Sequence, residues 1–239
     1  MSQTVSTPAS GSRFESGANP AAIGDIDLAR RRMVDTQIRP VQVNDPRILQ
    51  AMRLLPRERF VPADCAASAY ADRDVPLGDG RVLTEPRVIA RLVQSLTPVR
   101  GDRALLVGAS TGYAACLLHA LGVEVVALEQ NPALAVVGRA MVAELAPGVV
   151  YQEGRLADGF AEGGPYGLIL IDGGVREIPP AFAEQLVPGG RVAGVLSVPG
   201  RVSTAFLAES TPAGLRPRAQ FDVATPLLPE LAPPPAFSF

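Results

Sequence analysis

The chain has 239 residues and is 47% apolar, which suits one domain with an appendage and allows a full core. A formal net charge of −2 and a pI near 5.5 leave no electrostatic case for nucleic acid. All 22 basic residues are arginine, scattered rather than patched, and the two cysteines, Cys65 and Cys116, sit in no paired motif, so a reducing cytoplasmic compartment is expected.

Residues 1–24 are rich in Ser, Thr, Gly, Ala and Pro, with no basic start followed by an apolar run. They read as a disordered leader rather than a signal peptide. Residues 25–98 read as a helical part of the domain. One helix is expected over 27–39 and a second over 45–55, with Asp45 as N-cap and Pro46 at the first helical position. Pro56 and Pro62 punctuate the path. The stretch 70–86 reads as a loop, too polar and turn-rich for an element, and a further helix covers 87–96.

From 99 to 200 the pattern alternates. Strands are expected at 103–107, 124–128, 149–152, 167–171 and 191–196, with helices at 112–122, 131–145 and 179–186 between them. Apolar runs of strand length alternating with helices predict an α/β fold: a doubly wound, mostly parallel sheet covered on both faces. Residues 201–239 suggest a C-terminal strand pair near 203–210 and 218–224, then a Pro-rich tail ending in Phe237-Ser238-Phe239. The most apolar region, 104–128, contains Gly108, Gly112, His119, Gly122 and Glu124, so no membrane span is expected.

The segment 107-VGASTGY-113 has two readings. As G-x-S-x-G it would be a nucleophile elbow with Ser110 at its tip. That needs a base, and the one histidine, His119, stands nine residues along the same helix, roughly 13 Å away along the axis. There is no lysine to replace it. As a glycine-rich turn between strand and helix, the same segment cradles a nucleotide. Glu129 then falls 21 residues after Gly108, at the end of the second strand, where a carboxylate accepts ribose hydroxyls. The turn lacks a third fingerprint glycine, which argues against a dinucleotide.

Several segments carry a resemblance to a known family: 33-MVDTQI-38, 45-DPRILQAMRLLPRERFVP-62, 69-AYADRDVPLGDGRVLTEP-86, 101-GDRALLVGASTGYAA-115 and 177-EIPPAFAEQLVPGGR-191. Over about 27–196 the chain resembles the protein-L-isoaspartate O-methyltransferases. The resemblance implies a Rossmann-like methyltransferase fold ending in an inserted antiparallel strand, S-adenosyl-L-methionine as cofactor, and a protein or peptide substrate bearing an L-isoaspartyl residue. It also implies site residues. Thr84 stands where the family has a catalytic-loop serine. Gly108, Ala109, Ser110, Gly112, Glu129, Gln130, Arg155 and Asp172 fall at cofactor-contacting positions.

The match has departures. Leu106 replaces an acid and Ser110 a glycine. Arg155 replaces an aspartate in an adenine-contacting turn, and Asp172 replaces a threonine. Arg155 is expected to oppose a sulfonium unless it pairs with Asp158 or Asp172. Thr84 either orients a substrate carboxylate or caps the helix after Pro86. Two rivals stand beside the methyltransferase reading: a non-catalytic binding or scaffold member with an eroded pocket, and an NAD-type oxidoreductase. His119, Cys65 and Cys116 carry no expected role, and no ligand cluster for a metal is visible.

Overall fold

The computed structural model describes residues 20–232, with side chains from residue 26 onward. The expected leader, apart from its last few residues, and the terminal Phe-Ser-Phe lie outside the described residues. Helix α1 (Pro20–Met33) starts inside the segment read as leader and runs on through a wide turn over Val34–Ile38. Helix α2 (Pro46–Leu54) begins as its sequence predicts, with the Asp45 side chain accepting from the Arg47 N–H.

The segment 70–86 is a correction: it holds a β-hairpin, β1 (Val75–Gly78) paired antiparallel with β2 (Arg81–Leu83). Val75 and Leu77 point inward while Pro76 and Gly78 point out, an alternation short enough to be masked by its polar neighbours. The turn is the Asp79-Gly80 pair at φ 51° and 74°, which is the hairpin signal that the polar composition obscured. Helix α3 (Pro86–Ser95) follows, with Pro86 at its first position.

The core alternates as expected: β3 (Arg103–Val107), α4 (Tyr113–Ala120), β4 (Glu124–Glu129), α5 (Pro132–Leu145), β5 (Val150–Glu153), β6 (Tyr166–Val175), α6 (Ala181–Gln185), β7 (Leu186–Leu196), then β8 (Thr204–Thr211) and β9 (Gly214–Asp222). One seven-stranded sheet has the order β5-β4-β3-β6-β7-β8-β9. The strands from β5 to β7 are parallel; β8 runs antiparallel to β7, and β9 antiparallel to β8. The last strand is therefore not inserted. It stays at the edge of a simple meander, because the short connection 212–213 leaves β9 no reach past β8.

Strand alternation splits the core between the two faces. Leu106 packs with Leu117, Leu118 and Leu170 on one side, and Leu105 and Val107 pack with Tyr166, Phe182 and Val192 on the other. Leu106, at the position of the family's acid, is fully buried in this core. No helix among the described residues is long and apolar enough to cross a membrane. Chain order reverses between β3 and β6, and in such sheets the crevice outside the carboxyl ends of these two strands is where ligands sit.

Candidate functional site

Gly108 directly follows β3 at this reversal. Its main-chain N–H and that of Ala109 both donate to the Leu128 carbonyl at 3.0 Å, tying the turn to the end of β4. Gly108, Ser110 and Gly112 all have positive φ, at 77°, 54° and 95°. Ser110 therefore stands in the left-handed region as a non-glycine residue, at a cost of roughly 1–2 kcal/mol. Its Oγ is buried and has no hydrogen-bond partner among the described residues. His119 lies at the far end of α4, against Gly148. The hydrolase geometry is not present. Thr111, which sequence reasoning passed over, is buried and donates to the Phe60 carbonyl at 2.7 Å, tying the turn to the N-terminal part.

Glu129 closes β4 and is fully buried. Its carboxylate accepts main-chain N–H bonds from Ser110 (2.6 Å), Gln130 (2.9 Å) and Asn131 (2.8 Å), so the turn after β3 and the start of α5 together aim it into the crevice. Asn131 caps α5 by accepting from the Ala133 and Leu134 N–H groups. The Gln130 side chain accepts from the Leu156 N–H at 3.0 Å, which fixes the loop after β5 instead of pointing at the crevice.

The cation in the crevice is Arg81, not Arg155. Arg155 is exposed and 3.4 Å from Asp158, so the conflict expected at that position does not arise. Arg81, on the hairpin, reaches over the turn. Its Nη1 and Nη2 meet the two Glu129 oxygens at 2.8 and 2.9 Å, Nη2 also donates to the Gly108 carbonyl at 3.1 Å, and Nη1 lies 3.0 Å from Glu230. Burial works against its charge, but Glu129 and Glu230 outweigh that and hold the guanidinium above its ordinary pKa. Sequence reasoning missed Arg81 because it was placed in a loop; no spacing rule links it to Glu129, 48 residues away.

Thr84 and Asp172 form the other side. Asp172 follows Ile171, which pairs with Val107 across β6 and β3, so it stands beside Gly108 at the same crevice. The Thr84 hydroxyl donates to Asp172 Oδ1 at 2.6 Å, both residues buried. Thr84 is therefore not the cap of α3: the N-cap is Glu85, with no side-chain capping bond, and Glu85 is fixed through its N–H to Asp74. Behind Thr84 the fully buried Arg57 donates to the Thr84 and Ala69 carbonyls and lies over the Tyr113 ring, 4.7 Å from its centre. Burial lowers the Arg57 pKa, with Tyr113 and Asp172 opposing. Burial pushes the Asp172 carboxyl up to about 6, against the Thr84 hydrogen bond and the charges of Arg81 and Arg57, while Asp74 adds to the rise.

This geometry meets a decisive match: residues 29–202 fit the family model described as Protein-L-isoaspartate(D-aspartate) O-methyltransferase. The chain belongs to that family. A protein-L-isoaspartate O-methyltransferase of Methylorubrum populi is 38% identical over 174 residues, which is 73% of this chain and 82% of the relative. The fold agrees with a solved protein-L-isoaspartate O-methyltransferase at TM-score 0.74 and 24% identity, covering 84% of this chain and 67% of that one. It also agrees with a Plasmodium falciparum protein described as a putative member of this family in complex with S-adenosyl-L-homocysteine, at TM-score 0.70 and 16% identity, covering 84% and 98%. The sheet of a protein-L-isoaspartate O-methyltransferase thus replaces the NAD-type alternative, which needs a second nucleotide-binding half where β8 and β9 form a meander. Among the described residues no cluster of metal-ligating side chains occurs.

The donor set suits the family's cofactor. Glu129 is a buried acceptor held by three N–H groups, with its two oxygens also paired to Arg81 in this structure, so ribose hydroxyls would take the place of Arg81; the turn offers main chain at close approach. The space over Gly108 is another matter. A Cβ built there would meet Leu228 Cδ2 at 3.2 Å and Arg81 Nη2 at 3.3 Å, so side chains of this chain itself lie on the turn.

Proposed function

We propose that the protein transfers a methyl group from S-adenosyl-L-methionine to the free carboxylate of an L-isoaspartyl residue in a damaged protein or peptide, in the cytoplasm. The observation that carries this is the convergence of Gly108, Glu129, Thr84 and Asp172 on one crevice at the chain reversal of the sheet. Gly108, Ala109, Ser110 and Gly112 form the floor of the cofactor site, and Glu129 is the acceptor for the ribose hydroxyls. Gln130 shapes the site indirectly through the Leu156 N–H. Arg155 lies outside it, and Asp172 adjoins Thr84 on the acceptor side.

When bound, S-adenosyl-L-methionine supplies an activated methyl on a sulfonium. The acceptor carboxylate, with an ordinary pKa near 4, is already ionised at pH 7. No general base is required, which agrees with a crevice that holds no histidine. The protein's contribution is orientation and exclusion of water. Arg57 holds Thr84 in place through its carbonyl, and the one hydroxyl proton of Thr84, given to Asp172 in this structure, turns to the acceptor carboxylate when that carboxylate enters. The test is methyl esterification of an isoaspartyl peptide beside the same peptide with ordinary aspartate. Esterification of the first alone is the expected result; ester formation on neither, with S-adenosyl-L-homocysteine bound, would remove this acceptor.

A further inference from the structure

The segment after β9 lies on the turn that the cofactor needs. Thr225–Leu231 leaves the edge strand and returns to the middle of the sheet. It docks beside β6 through two main-chain bonds of 2.8 Å, Gly174 N–H to the Pro226 carbonyl and Leu228 N–H to the Gly174 carbonyl. Leu228 is 3% exposed. Its isobutyl group fits between two glycines on the strands that flank the reversal. A Cβ at Gly108 would meet it at 3.2 Å, and a Cβ at Gly173 would stand 2.6 Å from its Cγ. Pro229 packs on Gly80 in the hairpin turn, and Glu230 reaches Arg81 Nη1 at 3.0 Å. The tail and the hairpin thus close over Gly108 from two sides.

We propose that Thr225–Leu231 is an internal occupant of the cofactor cradle, which must withdraw Leu228 before S-adenosyl-L-methionine or its product can bind, so that the resting protein is self-blocked. This rests on the reading of Gly108–Gly112 and Glu129 as the cofactor site. Three observations support it. Leu228 fills the crevice outside β3 and β6, where a ligand of such a sheet lies. The segment falls beyond residues 29–202, the part matched by the family model. Its hold is two main-chain bonds, the packing of Leu228, Pro229 and Leu231, and one ion pair, against the eight-pair ladder of β9 before it. The Glu230 Oε2 atom is buried without a partner among the described residues, so the ion pair is incompletely satisfied. A segment held this way opens locally without unfolding the sheet.

The test is calorimetric binding of S-adenosyl-L-homocysteine to the full chain and to Leu228→Ala, with hydrogen exchange of the 225–231 amides with and without that ligand. Leu228→Ala is expected to bind about tenfold more tightly than wild type. In wild type, saturation with ligand is expected to speed exchange at the Leu228 and Gly174 amides. Equal or weaker binding by Leu228→Ala, with 225–231 exchange unchanged or slowed by ligand, overturns the proposal, because Leu228 is then a wall of the site and not its occupant. Binding by Leu228→Ala but not by wild type is the strongest support. Binding by neither protein, both folded, overturns the cofactor reading itself and this proposal with it. Glu230→Gln provides a second variant that leaves Leu228 in place: weakened hold on Arg81 is expected to move binding in the same direction by a smaller factor.

Discussion

Arg81 and Glu129 meet as a two-pronged ion pair, with N–O distances of 2.8 and 2.9 Å and side chains 2% and 0% exposed. Such a pair is weak evidence of net stabilisation, yet removing one partner leaves a buried charge and costs about 3–5 kcal/mol. Glu129 is thus asked to do two things. It satisfies Arg81 in this structure and, under the proposed function, offers its oxygens to ribose hydroxyls once Arg81 is displaced. Glu129→Ala is expected to weaken S-adenosyl-L-homocysteine binding by about 2 kcal/mol, near thirtyfold, and to lower stability in urea. Calorimetry on the folded variant checks the first effect. An unchanged dissociation constant takes Glu129 out of the site.

Under the proposed function, orientation of the acceptor depends on Thr84. Thr84→Val keeps the shape and loses the hydroxyl, and a misplaced acceptor in such a reaction costs on the order of a hundredfold. The expected result is a kcat for the isoaspartyl peptide lower by ten- to a hundredfold, with S-adenosyl-L-homocysteine affinity unchanged. Thr84→Ser is expected to stay within a few-fold of wild type. If Thr84→Val turns over normally, Thr84 only anchors Asp172.

The sheet was legible because its strands are continuous apolar runs closed by Gly, Asn-Pro or Pro-Gly, and the same periodicity placed Gly108 and Glu129 at strand ends. The caps Asp45 and Asn131 were legible for the same local reason. What escaped depends on contacts between residues far apart in sequence. Arg81 reaches Glu129 only because the hairpin folds over the turn, and Leu228 reaches Gly173 only because the tail doubles back from β9. Arg155 illustrates the converse. Its alignment with a cofactor-contacting turn suggested a charge in the pocket, but side-chain direction is set by the loop, and the Leu156 N–H bond to Gln130 leaves Arg155 facing solvent.

That correction makes a prediction about two of the departures from the family pattern, Arg155 and Ser110. Arg155→Asp is expected to leave S-adenosyl-L-homocysteine affinity unchanged, because its partner Asp158 and its side chain are both on the surface. Ser110→Gly is expected to stabilise the fold by about 1 kcal/mol. It relieves a left-handed serine and removes a buried unpartnered hydroxyl, against the greater backbone entropy of glycine. Urea denaturation measures this. A destabilised Ser110→Gly protein would mean that the hydroxyl has a partner in solution that offsets the strain.

Asp172 makes the stability of this protein depend on pH in a direction opposite to that of most carboxylates. Its folded-state pKa is raised to about 6, whereas an unfolded aspartate titrates near 4. Between these values the native state binds the extra proton, so stability is fully present below pH 4 and falls as pH rises to about 6. The groups facing the carboxyl are Thr84 and Arg81 from the hairpin side, Arg57 behind them, and Asp74, which raises it further. Asp74 and Glu85 also have raised pKa values from burial, so the total pH dependence of the protein belongs to several groups. The difference between wild type and Asp172→Asn isolates one of them. Asparagine keeps an acceptor for the Thr84 hydroxyl and cannot ionise. Its unfolding free energy relative to wild type is expected to rise between pH 4 and 6 by about 2–3 kcal/mol and then level off. A difference that stays flat across this window means that Asp172 titrates in its ordinary range, with the Thr84 hydroxyl, Arg81 and Arg57 balancing its burial.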